Sequence, residues 1–420
     1  MEDPSTDLPN LCSPQLGTKV VFATDEWFAE CGNMLKDNEA LFDDNTFTSF
    51  GKEMDGWECQ RRRTEGHDWC IIKLGKPGII DAIELDTLWF TGNFSPMASV
   101  YGMYYEDGAE PHVVSELLQE RAQSKSERGG KDGAFNEEGR MGTKASDHNL
   151  ASISELQSEE WNPLVPLQPL GAGYKETSRT LFKVEHKGTI SHLRVNMGPD
   201  GGIARIRAYG RVNVSSQHIQ SLLSKPNGDK IDLAHVENGG IALGCSNKHY
   251  GHPRNLVNPG RGLVMGDGWE TARQPKRPPI YERDPKSGLM LLPGFDWAAL
   301  QLGLPGYINA LDVDTNHYKG NYPESCLVEA CNQPNYVHDG NSGINLAQDE
   351  NDSEAGWVTL LDRTRLGPHH IHSFSSTDLQ GVHDPKGAGP FTHVKITIYP
   401  DGGVQRLRVY GTPSQPNSRL

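Results

Sequence analysis

Long hydrophobic runs, paired metal-binding cysteines and an excess of basic charge are all missing from this 420-residue sequence. No apolar stretch approaches the roughly 18 residues that a membrane-spanning helix needs, and the amino-terminal MEDPSTDLPN is acidic, unlike a secretory signal. The seven cysteines include no CxxC pair, so free thiols in a reducing compartment are expected instead of a disulfide framework. The formal net charge of −15 argues against a nucleic-acid partner but still allows a local arginine cluster to bind a small anion.

Signatures of several common enzyme classes are also missing. The sequence has no P-loop, no GxGxxG motif after a strand, no GxSxG elbow and no HExxH motif. Glycine (46) and proline (27) make up about a sixth of the chain, a share typical of turn-rich β structure. The length exceeds that at which one hydrophobic core stops growing, so at least two domains are expected.

The chain does contain a long internal repeat. WCIIKLGKPGIIDAIELDTLWFTGNF (69–94) aligns without a gap to WAALQLGLPGYINALDVDTNHYKGNY (297–322). Near the end of each copy, HLRVNMGPDGGIARIRAYG (192–210) aligns in the same way to HVKITIYPDGGVQRLRVYG (393–411). Because the blocks keep their order and internal spacing, the sequence predicts two copies of one domain produced by duplication.

The copies extend over residues 18–212 and 225–413. The first copy contains a stretch at about 120–155 with few large apolar residues and no period, which predicts a disordered surface loop without a counterpart in the second copy.

The strand pattern is clearest near the end of each copy. Val394, Ile396 and Ile398 alternate with polar residues, as expected for a strand with one buried face, and a Pro-Asp-Gly-Gly turn follows. Several short strands with turn signals and no long amphipathic helix predict an all-β chain with one β-sandwich in each copy. The jelly roll is one topology that fits, although periodicity alone does not select it.

The string Asp-Gly-Trp-Glu, followed by an arginine and then by Asp-Trp, also occurs in both copies. An amide side chain follows at the end of each repeated block. Carboxylates, arginine and amide beside large aromatics can form a polar pocket, or they can form an ion-pair network that ties a loop to the sandwich. The residues concerned are Glu58, Arg61, Asp68 and Asn93 in the first copy and Glu270, Arg273, Asp296 and Asn321 in the second.

Two further sets of charged residues lie on predicted strands. Arginines two positions apart share one strand face and can grip a carboxylate, or they can simply face solvent. This set is Arg205, Arg207, Arg406 and Arg408. Paired carboxylates can divide acid and base roles or bind a hard cation, but Asp at a strand end is also a common turn starter. This set is Glu84, Asp86, Asp312 and Asp314.

Histidines distinguish the copies. His67 stands where the second copy has Phe295, so proton transfer by this imidazole would be confined to the first copy. His369, His370 and His372 are close enough in sequence to bind a transition metal, but they lack the helical pairing and flanking cysteines of strong zinc signatures. We therefore expect no cofactor, with a histidine-bound metal as the alternative.

Taken together, these motifs resemble those of the allantoicase family. The resemblance rests on DGWE-x-x-R with a following DW and on the W-x4-LG-x-PG…DT-x4-GN block in both copies. It also rests on the YPDGG-V-x-R-L-R-V-Y-G ending and on NYPESC at 321–326, and it covers nearly the whole chain outside the insert. It implies two tandem jelly-roll β-sandwiches of galactose-binding-like type, hydrolysis of allantoate to ureidoglycolate and urea, and a homo-oligomer.

Allantoate is a small anion with two ureido arms on one carbon. Its site needs a cation for the carboxylate, an acid to protonate the departing urea and a base to direct water. Our hypothesis is that Arg61, Arg273 or the strand arginines bind the carboxylate. Glu58 or Glu270, with Asp68 or Asp296, would then supply acid and base. Which copy holds the working site stays open.

Two other functions fit parts of the pattern. A non-enzymatic tandem sandwich that binds a carbohydrate or another small polar ligand would use the same fold, since a fold does not determine a function. A metallohydrolase would use the histidines at 369–372. The chain ends in Ser418-Arg419-Leu420, which resembles a peroxisomal address, so peroxisome and cytoplasm are both expected locations.

Overall fold

The structure is a computed structural model that describes residues 4–128, 134–224, 230–333, 356–381 and 388–414. It divides into two compact units, which are described separately. The first unit is Asn10–Asn213, and the second is Val214–Leu420 together with the amino-terminal Met1–Pro9. The sequence carries no sign that residues before 10 pack with the second copy. The tripeptide at 418–420 lies outside the described residues.

In its described part, the first unit contains thirteen strands and two α-helices. The strands are β1 Lys19–Ala23, β2 Asp25–Glu26, β3 Phe47–Thr48, β4 Gly51–Lys52, β5 Trp57–Glu58, β6 Trp69–Asp86, β7 Met97–Met103, β8 Thr143–Lys144, β9 Asn162–Pro169, β10 Arg179–Lys183, β11 Ile190–Met197, β12 Gly202–Ile203 and β13 Arg205–Val212. The helices are α1 His112–Arg128 and α2 Asp147–Ile153.

The described residues of the second unit form ten strands and one α-helix. The helix is α3 Ser216–Leu223, and the strands are β14 Ile231–Asp232, β15 Ile241–Cys245, β16 Trp269–Glu270, β17 Asp296–Asp314, β18 Ser325–Cys331, β19 Val358–Arg365, β20 Ile371–Phe374, β21 Ala388–Tyr399, β22 Gly403–Val404 and β23 Arg406–Pro413. Short 3-10 helices connect strands in both units.

One long strand organises each unit. The beginning of β6 pairs with β1 and β11, whereas its end pairs with β10 and β13. In the same way, β17 pairs first with β15 and β21 and then with β20 and β23. Each long strand thus changes its partners part-way along, near Pro77-Gly78 and Pro305-Gly306, where proline donates no ladder hydrogen bond. A Cβ at Gly78 would lie 2.4 Å from the carbonyl oxygen of Arg211.

The fold expectation is therefore confirmed: the chain is mainly β and consists of two sandwich-type repeats. The strand faces between the sheets carry the core, where Ile71, Ile83 and Leu85 on β6 are fully buried. Among the described residues, no helix combines the length and apolar character needed to cross a membrane.

The expectation of a disordered loop at 120–155 is wrong for 120–128 and 134–155, whereas 129–133 lie outside the described residues. Helix α1 enters it and α2 lies within it, and both pack on the first sheet. Val113, Val114 and Leu117 of α1 and Ile153 of α2 belong to one apolar cluster with strand residues such as Ile71. The apolar residues that α1 contributes to this cluster thus precede position 120, and Ile153 is the fully buried anchor within the segment itself.

Buried charges hold the rest of this insert in place. Arg121, on α1, donates two hydrogen bonds to the buried Glu26, at 2.8 and 2.9 Å. Glu30 accepts backbone N–H bonds from Glu138 and Arg140. Burial alone would raise the pKa of Glu26, but the Arg121 guanidinium holds it below its ordinary range. Polar residues that look solvated in the sequence therefore form an internal network.

Candidate functional site

Three residues of the first Asp-Gly-Trp-Glu string build the framework. Asp55 accepts a hydrogen bond from Arg205 at 2.6 Å, and both side chains are almost fully buried. Gly56 has no room for a side chain, because a Cβ would lie 2.7 Å from the Cα of Ala204. Trp57 is fully buried in the core. The first three letters of the string thus have structural roles.

Glu58, the fourth residue, has a different environment. Its backbone pairs with Gly202 on β12, which fixes the position of its side chain. The carboxylate accepts a hydrogen bond from Nδ2 of Asn93 at 2.6 Å. Burial raises the pKa of Glu58 to about 7, and the neutral Asn93 amide offsets this shift only partly. Near neutral pH this carboxyl group is therefore ready either to give or to accept a proton.

Glu58 and Asn93 line a pocket of about 430 Å³, a size within the range of small-molecule sites. Aromatic side chains form much of the wall around this polar pair. The remaining lining residues are Phe28, Phe42, Asp44, Gly51, Lys52, Met54, Trp89 and Thr91. Half of the ten lining residues are polar or charged, and such a lining suits a small polar ligand.

Trp89 is held in an unusual conformation at this wall. Its φ of 74° lies in the left-handed region, which bulky residues rarely adopt. The indole N–H donates to the carbonyl of Ala40 at 2.8 Å, and the ring stacks on Phe42 with centroids 5.6 Å apart. The equivalent His317 has a similar φ of 66°, so this backbone conformation belongs to the framework that the two units share.

The second unit repeats the Glu–Asn pair but not its surroundings. Asn321 donates to Glu270, and burial raises the pKa of Glu270 above its ordinary range. In the ungapped alignment, however, His317 replaces Trp89. Met265, whose Sδ lies 3.3 Å from Nδ2 of Asn321, is 45% exposed, so the second pair lies beside an open surface.

The repeated string pairs Asp68 and Asp296 with these glutamates, but the hydrogen bonds of both aspartates are made to other residues. Asp68 accepts hydrogen bonds from Thr24 and Arg62, each at 2.8 Å, and Asp296 accepts one from Ser246 at 2.7 Å. Burial raises the pKa of both aspartates. Asp68 is not among the described residues that line the Glu58 pocket.

The predicted arginines also lie elsewhere. Arg61 and Arg273 are exposed, and Arg61 does not line the described pocket. Its neighbour Arg62 makes the contact with Asp68 instead. The sequence has three consecutive arginines here and does not indicate which of them makes this contact.

The strand arginines are neither solvated nor in the described pocket lining. Each donates to backbone carbonyl groups of loops, so these side chains fasten loops to the sandwich. The acceptors are Asn38, Glu39, Asp55 and Ala204 for Arg205, Asp37 for Arg207, Pro259, Asp267 and Gln405 for Arg406, and Asn258 and Gly260 for Arg408.

The strand carboxylates act mainly at turns. Asp86 accepts the backbone N–H of Leu88 at 2.8 Å, and Asp314 accepts that of Asn316 at 2.9 Å. Glu84 lies 3.6 Å from Arg207. Asp312 faces Arg408 in the strand register. The structural alternative therefore accounts for Asp86 and Asp314.

The histidines lie in two pairs, His370 with His372 at a ring-centroid distance of 5.1 Å and His369 with His317 at 5.7 Å. His372 accepts a backbone N–H from Gly367 at 2.7 Å, and its other ring nitrogen lies 3.1 Å from the carbonyl of Val313. His369 accepts the N–H of His317 at 2.8 Å. Within the described part of the chain, no group of three or more potential ligands is arranged to hold a metal ion. His67 is exposed and contacts Asn196 instead of the pocket.

Sequence reasoning missed several pocket residues. Phe42, Asp44 and Lys52 precede the repeated string and have no repeated motif of their own. Trp89 lies inside the aligned block, but the second copy has His317 at this position. The sequence therefore does not indicate that Trp89 lines a pocket.

Comparisons with known proteins agree along nearly the whole chain. The family model described as Allantoicase repeat matches residues 9–213 and 231–414. The chain is 36% identical over 407 residues to a probable allantoicase of Pseudomonas aeruginosa, covering 97% of this chain and 96% of that protein. A probable allantoicase of Photobacterium profundum is 35% identical over 407 residues, with 97% of each covered.

The solved structures agree as well. The crystal structure of allantoicase from Saccharomyces cerevisiae is 29% identical, with a TM-score of 0.61 over 96% of this chain and 92% of that chain. A second allantoicase structure is 30% identical, with a TM-score of 0.60 over 97% and 93%.

Proposed function

This chain belongs to the allantoicase family, and we propose that it hydrolyses allantoate to ureidoglycolate and urea in the Glu58 pocket of its first unit. The family model, the near full-length relatives and the similar structures support the reaction in purine catabolism. They do not favour a non-enzymatic sugar-binding sandwich. The location of the reaction within the chain rests on the pocket geometry.

The observation that carries this location is the environment of Glu58. Burial beside a neutral amide raises its pKa to about 7, within a pocket that can hold a small ligand. Groups whose pKa lies near the working pH are the most effective general acids and bases. Glu270 has the same amide partner but a more open neighbourhood, so the first unit is the stronger candidate.

A single carboxyl group can perform both proton transfers. Protonated Glu58 donates its proton to the nitrogen of the leaving ureido arm as the bond from that nitrogen to the central carbon breaks. The lone pair of the remaining ureido nitrogen forms a C=N bond, so urea departs and an acyliminium carbon remains. Water then adds to this carbon and gives a proton to the Glu58 carboxylate, which restores the acid.

Asn93 has a positioning role in this scheme. Its Nδ2 donates to Glu58 at 2.6 Å, which fixes the carboxyl group and stabilises the carboxylate. The aromatic side chains Phe28, Phe42 and Trp89 give the substrate an apolar surface to pack against. The exposed side chain of Asp44 marks the side from which water can reach the cationic carbon.

The first experiment is a urea-release assay with allantoate on the full chain. Wild type is expected to release urea, whereas Glu58→Gln is expected to lose most of the rate while keeping its fold. Glu270→Gln is the matched control. Full turnover by Glu58→Gln would exclude Glu58 from the chemistry, and loss in Glu270→Gln alone would move the reaction to the second unit.

The proposed steps use protein groups alone, and a chelator tests this. Turnover that survives prolonged treatment with EDTA is expected. Loss of turnover that added metal restores would contradict the scheme and return attention to the histidines at 369–372.

We also expect the protein to self-associate. Leu263, Val264 and Met265 of the second unit are consecutive and exposed, at 81%, 57% and 45%. Exposed apolar groups often mark protein interfaces. Sedimentation velocity is expected to give a mass above that of one chain, and a monomer at micromolar concentration would contradict this expectation.

A further inference from the structure

The pocket has to neutralise the carboxylate of its substrate, yet the arginines suggested by the sequence lie elsewhere. Arg205 donates from all three of its guanidinium nitrogens to loop carbonyls and to Asp55. Arg61 is exposed and is not part of the pocket lining. Among the described residues that do line the pocket, Lys52 is the cationic one.

We infer that Lys52 binds the carboxylate of the substrate and thereby selects an anionic ureide. This inference rests on the proposed function of the pocket. The Lys52 inference also favours the first unit by a comparison that does not involve Glu58. The string GKEMDGWE (51–58) aligns without a gap to LVMGDGWE (263–270). The position of Lys52 is therefore occupied by Val264 in the second unit, where no charge is supplied.

The geometry leaves Lys52 available for a ligand. Its ammonium group lies 2.6 Å from Oδ1 of Asp44 and 5.1 Å from the ring centroid of Phe42. The side chain of Asp44 is 78% exposed, so this ion pair is screened by water and adds little stability. An ammonium group has three donors, so a second carboxylate can join Asp44 or replace it.

The local charges favour replacement of Asp44 by the substrate carboxylate over binding of both carboxylates to Lys52. With Asp44 in place, a bound anion would bring a second carboxylate to one ammonium group, and the two negative charges would repel each other. Because Asp44 is exposed, it can turn toward water at little cost, leaving Lys52 to the substrate. Asp44 is thus expected to act as a competitor for the cation.

The test measures KM and kcat for allantoate in three variants. Lys52→Met keeps the apolar stem and removes the charge, and it is expected to raise KM by roughly tenfold to a hundredfold, the range for a charged hydrogen bond. Lys52→Arg is expected to recover most of the affinity. Asp44→Asn is expected to lower KM, a gain that misfolding cannot produce.

A neutral competitor sharpens the result. The primary amide of allantoate, tested as an inhibitor, is expected to bind wild type and Lys52→Met about equally, because it lacks the charge that Lys52 recognises. Lys187→Met is the matched control, since Lys187 is an exposed lysine 3.5 Å from Asp81 and outside the pocket lining. Its KM is expected to equal that of wild type.

The outcomes separate two failures. If Glu58→Gln is inactive while Lys52→Met and Asp44→Asn both keep the wild-type KM, the inference about Lys52 is wrong and the proposed function stands. If Glu58→Gln and Lys52→Met are both fully active, the reaction does not occur in this pocket and both proposals fail.

Discussion

The Glu58 site and the Glu270 site began as copies, and the differences between them show which parts of a duplicated site are architecture. Both keep a buried tryptophan, a glycine with no space for a Cβ and a glutamate bonded to an asparagine amide. These features depend on the strand framework. The walls differ, because Lys52 and Trp89 correspond to Val264 and His317. Shared geometry therefore does not establish two working sites. The residues that line each site indicate which of the two binds substrate.

The same contrast applies to a position behind the sites. Thr24 and Ser246 are equivalent, since each bonds to the repeated aspartate of its own unit, and two residues further on Glu26 corresponds to Lys248. Glu26 binds Arg121 of the insert, whereas Lys248 binds Asp7 of the amino-terminal segment. The equivalent residues Glu26 and Lys248 thus carry opposite charges. Each binds a segment that the other unit lacks, the insert in the first unit and the amino-terminal segment in the second.

The largest expected effect is on catalysis. Glu58→Gln should lower kcat by roughly 10²- to 10⁴-fold, the usual contribution of general acid–base catalysis, because the amide cannot transfer the proton. Glu270→Gln should keep kcat within about twofold of wild type, since the same change is then made outside the working pocket. Steady-state urea release by both variants, with circular dichroism as a control for folding, checks the comparison. Equal losses in the two variants would mean that both units contribute to turnover.

The next effect is on stability and compares the two anchors. Arg121→Met leaves Glu26 buried without its main partner, so the free energy of unfolding of the first unit should fall by about 3 kcal/mol. Lys248→Met should lower that of the second unit by no more than about 1 kcal/mol, because its ion pair with Asp7 is partly exposed.

Urea unfolding, followed by tryptophan fluorescence, measures both anchor variants. Similar losses would show that the insert is no more tightly anchored than the amino-terminal segment.

How much the sequence predicts follows from these cases. The repeat and its strands are visible because apolar alternation and turn glycines are local signals. The structure of the insert is hidden because Arg121 and Glu30 look solvated until a fold pairs them with distant partners. The pocket wall is hidden for a similar reason, since Phe42 and Trp89 meet only in three dimensions.

The buried carboxyl group also predicts a pH effect on stability. Burial raises the pKa of Glu58 from 4.5 to about 7, so between these values the folded protein binds more protons than the unfolded chain. Stability from this group is therefore present at low pH and is lost as pH rises through about 7. Glu58→Gln lacks this dependence and should exceed wild type by about 2–3 kcal/mol at pH 8, with little difference near pH 4.5.

Thermal unfolding of wild type and Glu58→Gln between pH 5 and 8 measures this difference. Glu270→Gln should show the same trend with a smaller size, because Glu270 lies beside a more open surface. A pH-independent difference for Glu58→Gln would contradict a raised pKa at this site.

The smallest expected effect comes from exchanging a wall residue between the copies. Trp89→His gives the first unit the side chain of His317, which has a similar φ of 66°, so the backbone should tolerate the change. Loss of the stack on Phe42 and of the indole bond to Ala40 should loosen the apolar surface against which the substrate packs. We expect kcat/KM for allantoate to fall by roughly tenfold, equivalent to about 1.4 kcal/mol, with most of the change in KM.

The reciprocal exchange tests whether a wall alone can make a site. His317→Trp should leave turnover unchanged, because the second unit still has Val264 in place of Lys52. If His317→Trp instead raised turnover in a Glu58→Gln background, the second unit would need only a wall to become a working site, and the cation would be dispensable.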